Sequence, residues 1–402
     1  MPIPAMYTRF ARALAGPRAA MEAAVAVTSS RAALLVLAIL AAGTAGGGVL
    51  PEDRADAMYH SYDGGGVEVT GPSYLVRKGD DKNFSASVNY YVDSISSASI
   101  DVVTQGSPYN EERTQWSGSI DYLHADTTIS ASYANSDESD YKSDTYSLSI
   151  SQSMFGDLTT LTIGYSRGRD NIYSNFDPSF RQDADHHNYH VSLTQVLTKD
   201  LLLSINYDAI TDDGYLQSPY RNVLVLNDPN DPSAGTNFNT PETYPDTRTS
   251  NAVSANFLYY LPYRATVGAS YRYYDDDWDI SAHTASLQYT HPFGERWIAD
   301  LGFRYYRQNE ADFYANVFQR PDQQNFMARD KELSKFTDYT LGFGLSYEVL
   351  HKGWGYLDRA TLNLRYSHIW FDYDNFSDAR RSLDNGYSFD ADILQLFASV
   401  WY

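Results

Sequence analysis

Three stretches of the chain place side chains where they could do chemistry. "HHNYH" (186–190) puts His186 and His190, with Asn188, on one face of an extended segment. Imidazoles ligate metals, but such a site needs three or four ligands in a defined geometry, and no further ligand stands nearby. Polar residues at the rim of a pore explain them better. "YDDDWDI" (274–280) gathers Asp275, Asp277 and Asp279 in a short loop, and "NDPNDPSAG" (227–235) is similarly acidic. Carboxylates suit Ca²⁺, although an ordinary acidic hairpin accounts for both. His291 and His368 sit in a serine-rich chain without a Ser or Asp at the spacing of a hydrolytic triad. No enzyme, cofactor or resident metal is expected.

A second set of charged residues carries more information. Asp121, Asp208, Arg272, Asp300, Arg304 and Arg365, with Asn363, all fall on the polar face of segments that alternate strictly in polarity. If those segments form a barrel, these residues point into its lumen. Charge there is either a constriction that filters solutes or a salt-bridged network filling a closed interior. Both readings stay open from the sequence.

The elements that must position them have a period of two. "NFSASVNYYV" sets Phe84, Ala86, Val88 and Tyr90 against Asn83, Ser85, Ser87 and Asn89. "TYSLSISQS" sets Tyr146, Leu148 and Ile150 against Ser147, Ser149 and Ser151. The same alternation recurs to the C-terminus and argues for half-buried strands rather than helices. It predicts an all-β fold, a transmembrane antiparallel barrel of about fourteen strands (within a range of about 12 to 16). The connections alternate as well. "HADT", "MFGD", "LTKD", "LPYR" and "HPFGER" are short, whereas 93–113, 136–143, 168–185, 211–249 and 309–335 are long and polar. Short turns on the periplasmic side and long loops outside are the outer-membrane pattern. Tyrosines cluster at strand ends: Tyr90, Tyr133, Tyr146, Tyr165 and Tyr189 at one level, Tyr122, Tyr259, Trp297, Tyr347 and Tyr402 at the other. Strand preference explains abundant tyrosine; girdles at two lipid headgroup levels explain its placement.

Composition agrees. The chain has 402 residues, 35 tyrosines, no cysteine and a net charge of −21. A nucleic-acid partner requires a basic footprint, so that class is excluded. The mean hydropathy of −0.45 does not argue against a barrel, whose strands are apolar on one face only. Residues 1–57 differ from the rest. Arg9, Arg12, Arg18 and Arg31 precede "AALLVLAILAA" (32–42), too short to span a bilayer but laid out like a secretory leader. Cleavage is expected at Ala55-Asp56-Ala57 or near Ala45. Residues 58–81 read as a periplasmic tail, a plug in the lumen or part of an extra strand, and 82–402 as the barrel.

Several stretches carry a family resemblance. "MYHSYDGGGVEVTGPSYLVRK" (58–78), "NYYVDSISSASIDVVTQGSPYNEERTQWSGSIDYL" (89–123), "SDESDYKSDTYS" (136–147), "PDTRTSNAVSA" (245–255) and "ARDKELSKFT" (328–337) resemble a family of Gram-negative outer-membrane barrels catalogued as a domain of unknown function. The resemblance implies an exported barrel and brings no catalytic residues. It also implies envelope lipoproteins as partners, because relatives are often encoded beside a small lipoprotein and a flavin-transferring one. The closing "ADILQLFASVWY" presents Leu394, Leu396, Ala398, Val400 and Tyr402 on one face. It resembles the C-terminal signal read by the barrel-assembly machinery. Phe397 and Trp401 point the other way, into the lumen, so either a segment packs on them or the lumen is closed at that end. The expectation is a monomer in the bacterial outer membrane, in contact with lipid and lipopolysaccharide. It is either a passive or weakly selective pore or a non-conducting scaffold that docks envelope partners.

Overall fold

The structure, a computed structural model, describes residues 49–402 except 81, 98, 100–103, 105–108, 232, 234, 352, 381–382 and 384. The apolar leader run and the cleavage position near Ala45 lie outside the described residues. Sixteen strands form one closed antiparallel barrel. In chain order they begin with β1 (Arg54–Gly64), β2 (Val67–Gly79), β3 (Phe84–Ser97), β4 (Tyr109–His124) and β5 (Thr127–Asp137). β6 (Tyr141–Met154), β7 (Thr159–Tyr173), β8 (Arg181–Thr198) and β9 (Leu201–Gly214) follow. β10 (Asn222–Leu226) and β11 (Thr236–Pro241) make a separate hairpin, so β9 pairs with β12 (Thr247–Tyr260). The wall finishes with β13 (Thr266–Asp276), β14 (Ser281–Phe293), β15 (Trp297–Gln308), β16 (Phe336–Leu350), β17 (Arg359–Tyr373) and β18 (Ser388–Trp401). β18 then pairs with β1, from Arg54–Trp401 to Gly64–Ala391.

Sixteen strands rather than fourteen is the first correction. The additional pair, β1 and β2, occupies most of 58–81 together with Arg54–Ala57. That segment is neither tail nor plug, and the barrel begins at Arg54 rather than residue 82. Between the two strands, Gly65 and Gly66 have φ of 59° and 80°. That is the left-handed conformation a two-residue hairpin turn demands.

The second correction concerns length. β7 has 15 residues and β8 has 18, so the loop between them is 174–180 rather than 168–185. Beyond the apolar belt the outward positions become polar, as at Lys142, Asp144, Arg169 and Asp183, while the backbone continues to pair. The hydrophobic signal therefore ends before the strand does.

Alternation sorts the side chains as expected. Val88, Ile120, Leu148, Ile163, Leu287, Leu301 and Leu341 are exposed on the outer wall. Aromatic residues bound this belt as cross-strand pairs: Tyr133 opposite Tyr146, Tyr165 opposite Tyr189 and Tyr305 opposite Tyr339 toward one end. Phe84 opposite Tyr122 and Trp297 opposite Tyr347 lie toward the other. Their rings are 4.4–5.3 Å apart, the spacing of tilted contacts that add to burial. One end of the barrel carries the start of β1, the C-terminus and most of the short turns; the other carries the long loops.

Because β1 closes the wall, cleavage after Ala57 would remove its first turn of pairing. N-terminal sequencing of the mature protein should give a start upstream of Arg54; a start at Met58 would contradict the sixteen-strand wall.

Candidate functional site

The candidate site is the lumen. The six charged residues picked out by alternation all face it. Asp208 meets Nδ1 of His190 at 2.7 Å, and Arg304 donates to Asp338 at 2.8 Å. Asp121 accepts from the Ser130 hydroxyl and Asp300 from the Thr290 hydroxyl. Arg365 lies in the same lateral row as Asp300, with Gly344 between them on β16. Arg272 lies over the Tyr274 ring. These residues do not gather into one ring. Each is held within its own neighbourhood of the wall.

The most buried polar groups were not among them. Asp93 on β3 binds Arg113 and His60, and the His60 ring stacks on Tyr91. His186 uses both ring nitrogens, one to Asp170 and one to Asp212, each at 2.6 Å. Tyr141 and Ser143 donate to the same Asp170. Arg248 binds Asp276 and covers the Trp278 ring at 4.5 Å. Asp93, Arg113, Asp170, Asp212 and Arg248 all fell in stretches read as outer loops. Period-two spacing continuing past the apolar belt was the signal that could have found them. His186 and His190 are thus lumen-facing and engaged by carboxylates.

At the loop end the lumen is filled. Residues 215–246, 309–335 and 374–387 pack together over it. The β10–β11 hairpin is extended by Phe318, whose backbone exchanges bonds with Leu224 and Leu226. Val223, Val225, Phe318 and Met327 form its dry centre. Thr243 and Met327 exchange backbone bonds of 2.9 and 2.8 Å. Arg329 ties the three loops: its N–H donates to Glu242, its guanidinium donates to Asn316 O and Ser377 O, and it sits 4.6 Å above Phe376. Arg221 pairs with Asp330. Trp278, Tyr244 and Phe313 pack edge-on and link this assembly to the wall. Below it the inward face is itself apolar, with Tyr62, Val67, Ile95, Ile369, Phe371 and Ile393 in one cluster.

Burial shapes the titration of these loops. Glu242 is 2 % exposed; burial, with Asp330 adding to it and Arg221 opposing, pushes its carboxyl up to about 7. Burial alone would raise Asp330 too, but the Arg221 guanidinium holds it at about 2.

The other end differs. Phe397 and Trp401 do face inward, but neither reason expected for them applies. Residues 58–81 lie in β1 and β2 of the wall rather than over them, and the closure is at the opposite end. Instead Arg359 lies 3.9 Å above Trp401 and Arg365 6.0 Å above Phe397, so each ring serves as a platform for a cation. Several inward residues of this half, such as Ser130, Ser149, Asn206, Asn256 and Asn363, are half-exposed, although Arg77, Ser85, Thr266 and Ser399 beside them are buried.

Residues 99–357 match the family described as "Protein of unknown function (DUF3570)". The chain belongs to this family. The matched span takes in 136–147, 245–255 and 328–337 and most of 89–123; 58–78 lies outside it. No curated protein matches the sequence. Among solved structures, one described as a bacterial polysaccharide outer membrane secretin is similar at 9% identity and a TM-score of 0.47, over 88% of this chain and 99% of that one. A FadL homologue of Pseudomonas aeruginosa is similar at 10% identity and TM-score 0.42, over 87% and 90%. The siderophore receptor PirA of the same organism gives 10% and 0.41, over 82% of this chain and 60% of the receptor.

Two outcomes follow from this geometry. Asp338→Ala leaves Arg304 buried without its carboxylate and should cost about 3–5 kcal/mol; loss of the exposed Lys142–Asp137 pair should cost under about 1 kcal/mol. Denaturant unfolding of the refolded barrel reads both. For Glu242, the folded pKa lies above the ordinary one, so its contribution to closure is complete at low pH and lost as pH rises through about 7. Spin labels at Ser233→Cys and Ala379→Cys should show a narrow distance distribution at about pH 5.5 that broadens by about pH 8.5. Glu242→Gln should flatten that change.

Proposed function

We propose that the chain is a bacterial outer-membrane barrel that acts as a weakly selective pore, shut at rest by its own loops. The lumen carries this reading, with half-exposed polar walls toward the termini and a packed apolar and ion-paired closure toward the long loops. The outer wall supports the membrane setting: an apolar belt between two aromatic rows is what a hydrocarbon slab with headgroups on each side requires. With the termini in the periplasm, the long loops and their closure face outward. The closure is built from segments of surface loops, so its opening needs no change in the wall, only release of contacts such as those of Arg329.

A second reading is favoured by one observation. The contacts among 215–246, 309–335 and 374–387 are extensive, buried and hydrogen-bonded, as expected of a permanently shut scaffold presenting its surface to envelope lipoproteins. Planar-bilayer recording separates the two. As a pore, the wild type should open rarely, and Arg329→Ala, which removes the guanidinium's bonds to Asn316 and Ser377 while keeping the backbone N–H bond to Glu242, should raise the open probability at least about tenfold. No channel activity in either protein would overturn the pore and leave the scaffold.

A further inference from the structure

A row of three arginines crosses the inward wall at the terminal end. Arg54 on β1 stands directly opposite Arg77 on β2 and opposite Trp401 on β18; Trp401 in turn stands opposite Arg359 on β17. Like charges facing each other across strands are destabilising, and a chain with a net charge of −21 has acids in plenty with which to neutralise them. Yet the row is thinly paired. Arg54 Nε reaches one oxygen of Asp56 at 3.2 Å, and Arg359 reaches the exposed Glu52 at 3.3 Å. Arg77 is 5 % exposed. Its Nε has no hydrogen-bond partner among the described residues, and Asp121 and Asp56 act on it only through space. Arg54 Nε is buried and, although ion-paired with Asp56, is not aligned for a hydrogen bond, and Arg359 Nε is buried without one. Ser85, on the strand beside β2, also has a buried hydroxyl with no partner.

We propose that Arg54, Arg77 and Arg359 form a binding site for a small soluble oxyanion, bearing a phosphate or carboxylate group, on the lumen wall at the terminal end. Guanidinium groups donate in a planar fork that matches such oxygens, often two at a time. Here the fork is preorganised. Trp401 fixes the plane of Arg359, and the wall holds Arg77 where only a partner of opposite charge relieves its burial. Side-chain exposure rises along the row, from the buried Arg77 through Arg54 at 24% to Arg359 at 41%, so an anion reaches it from the open half of the lumen. Its acidic loops lie at the far end of the barrel. The site does not depend on whether the barrel conducts.

The test is titration of inorganic phosphate into the purified full chain in an uncharged detergent, read by calorimetry and tryptophan fluorescence, with chloride at matched ionic strength as the control for screening. A headgroup source is distinguished by repeating the titration in the presence of anionic phospholipid, which should compete only if lipid phosphate is the ligand. Saturable phosphate binding is expected, weakened at least about tenfold in Arg54→Gln and Arg77→Gln. Should loss of Arg77 prevent folding, Arg359→Lys keeps the charge at a more exposed position, removes the fork and should still weaken binding. Heat-modifiable mobility confirms that each variant is a folded barrel. Phosphate binding no stronger than chloride, competition by lipid, or unchanged affinity in the folded variants overturns the proposal.

Discussion

Pairing of β1 with β18 leaves no strand of the wall with a free edge, and the rest of the structure depends on that closure. In hydrocarbon an unpaired backbone N–H or C=O costs several kcal/mol, roughly, with no water to offset it. A sheet set in lipid, as proposed for this wall, would therefore have to end where it began. The consequence reaches the side chains through the period of two. Once the backbone is closed, every other residue is committed to the lumen and its neighbours to the outer wall, and a one-residue slip would exchange the two sets. Asp93, Asp170 and Asp338 can remain buried because the register delivers Arg113, His186 and Arg304 beside them.

The two ends of the lumen use that commitment differently. At the loop end the inward positions turn apolar and the loops supply the aromatic, aliphatic and ion-paired groups that fill the space. At the terminal end the inward positions stay small and polar, and the large groups are arginines laid on aromatic rings. Acids and arginines occur at both ends, but at the loop end they are joined in pairs such as Arg221–Asp330 and Arg248–Asp276, whereas the row of Arg54, Arg77 and Arg359 is thinly paired. The field along that cavity is a property of the wall, whatever passes through it.

Much of this was legible in the sequence, and the exceptions share one cause. All fourteen expected strands lie within strands of the wall, and Asp208, Arg304 and Arg365 face inward because alternation is local and needs no tertiary information. Residues 58–81 read equally as a tail, a plug or part of an extra strand, because the left-handed turn at Gly65–Gly66 that makes them a hairpin has no hydrophobic signal. Asp93, Arg113, His186 with its two carboxylates, and Arg248 were assigned to loops or left unpartnered. There, alternation of polar with polar carries no hydrophobic signal, although pairing continues. The closure by 215–246, 309–335 and 374–387 was out of reach altogether. Its contacts join residues such as Glu242 and Arg329, which no period connects. The arginine row is legible only after register is known, since Arg54, Arg77 and Arg359 come from three strands.

The account stands most directly on closure of the wall through β1. The chain has no native cysteine, so a single engineered pair reports without interference. Ala57→Cys and Ala398→Cys are register partners on β1 and β18, and mild oxidation of the refolded protein should join them intramolecularly, visible as a mobility shift reversed by reductant. If this pair fails to crosslink in the folded barrel while cysteines placed on β3 and β18 do, the wall closes without β1 and β2 and the sixteen-strand account is wrong.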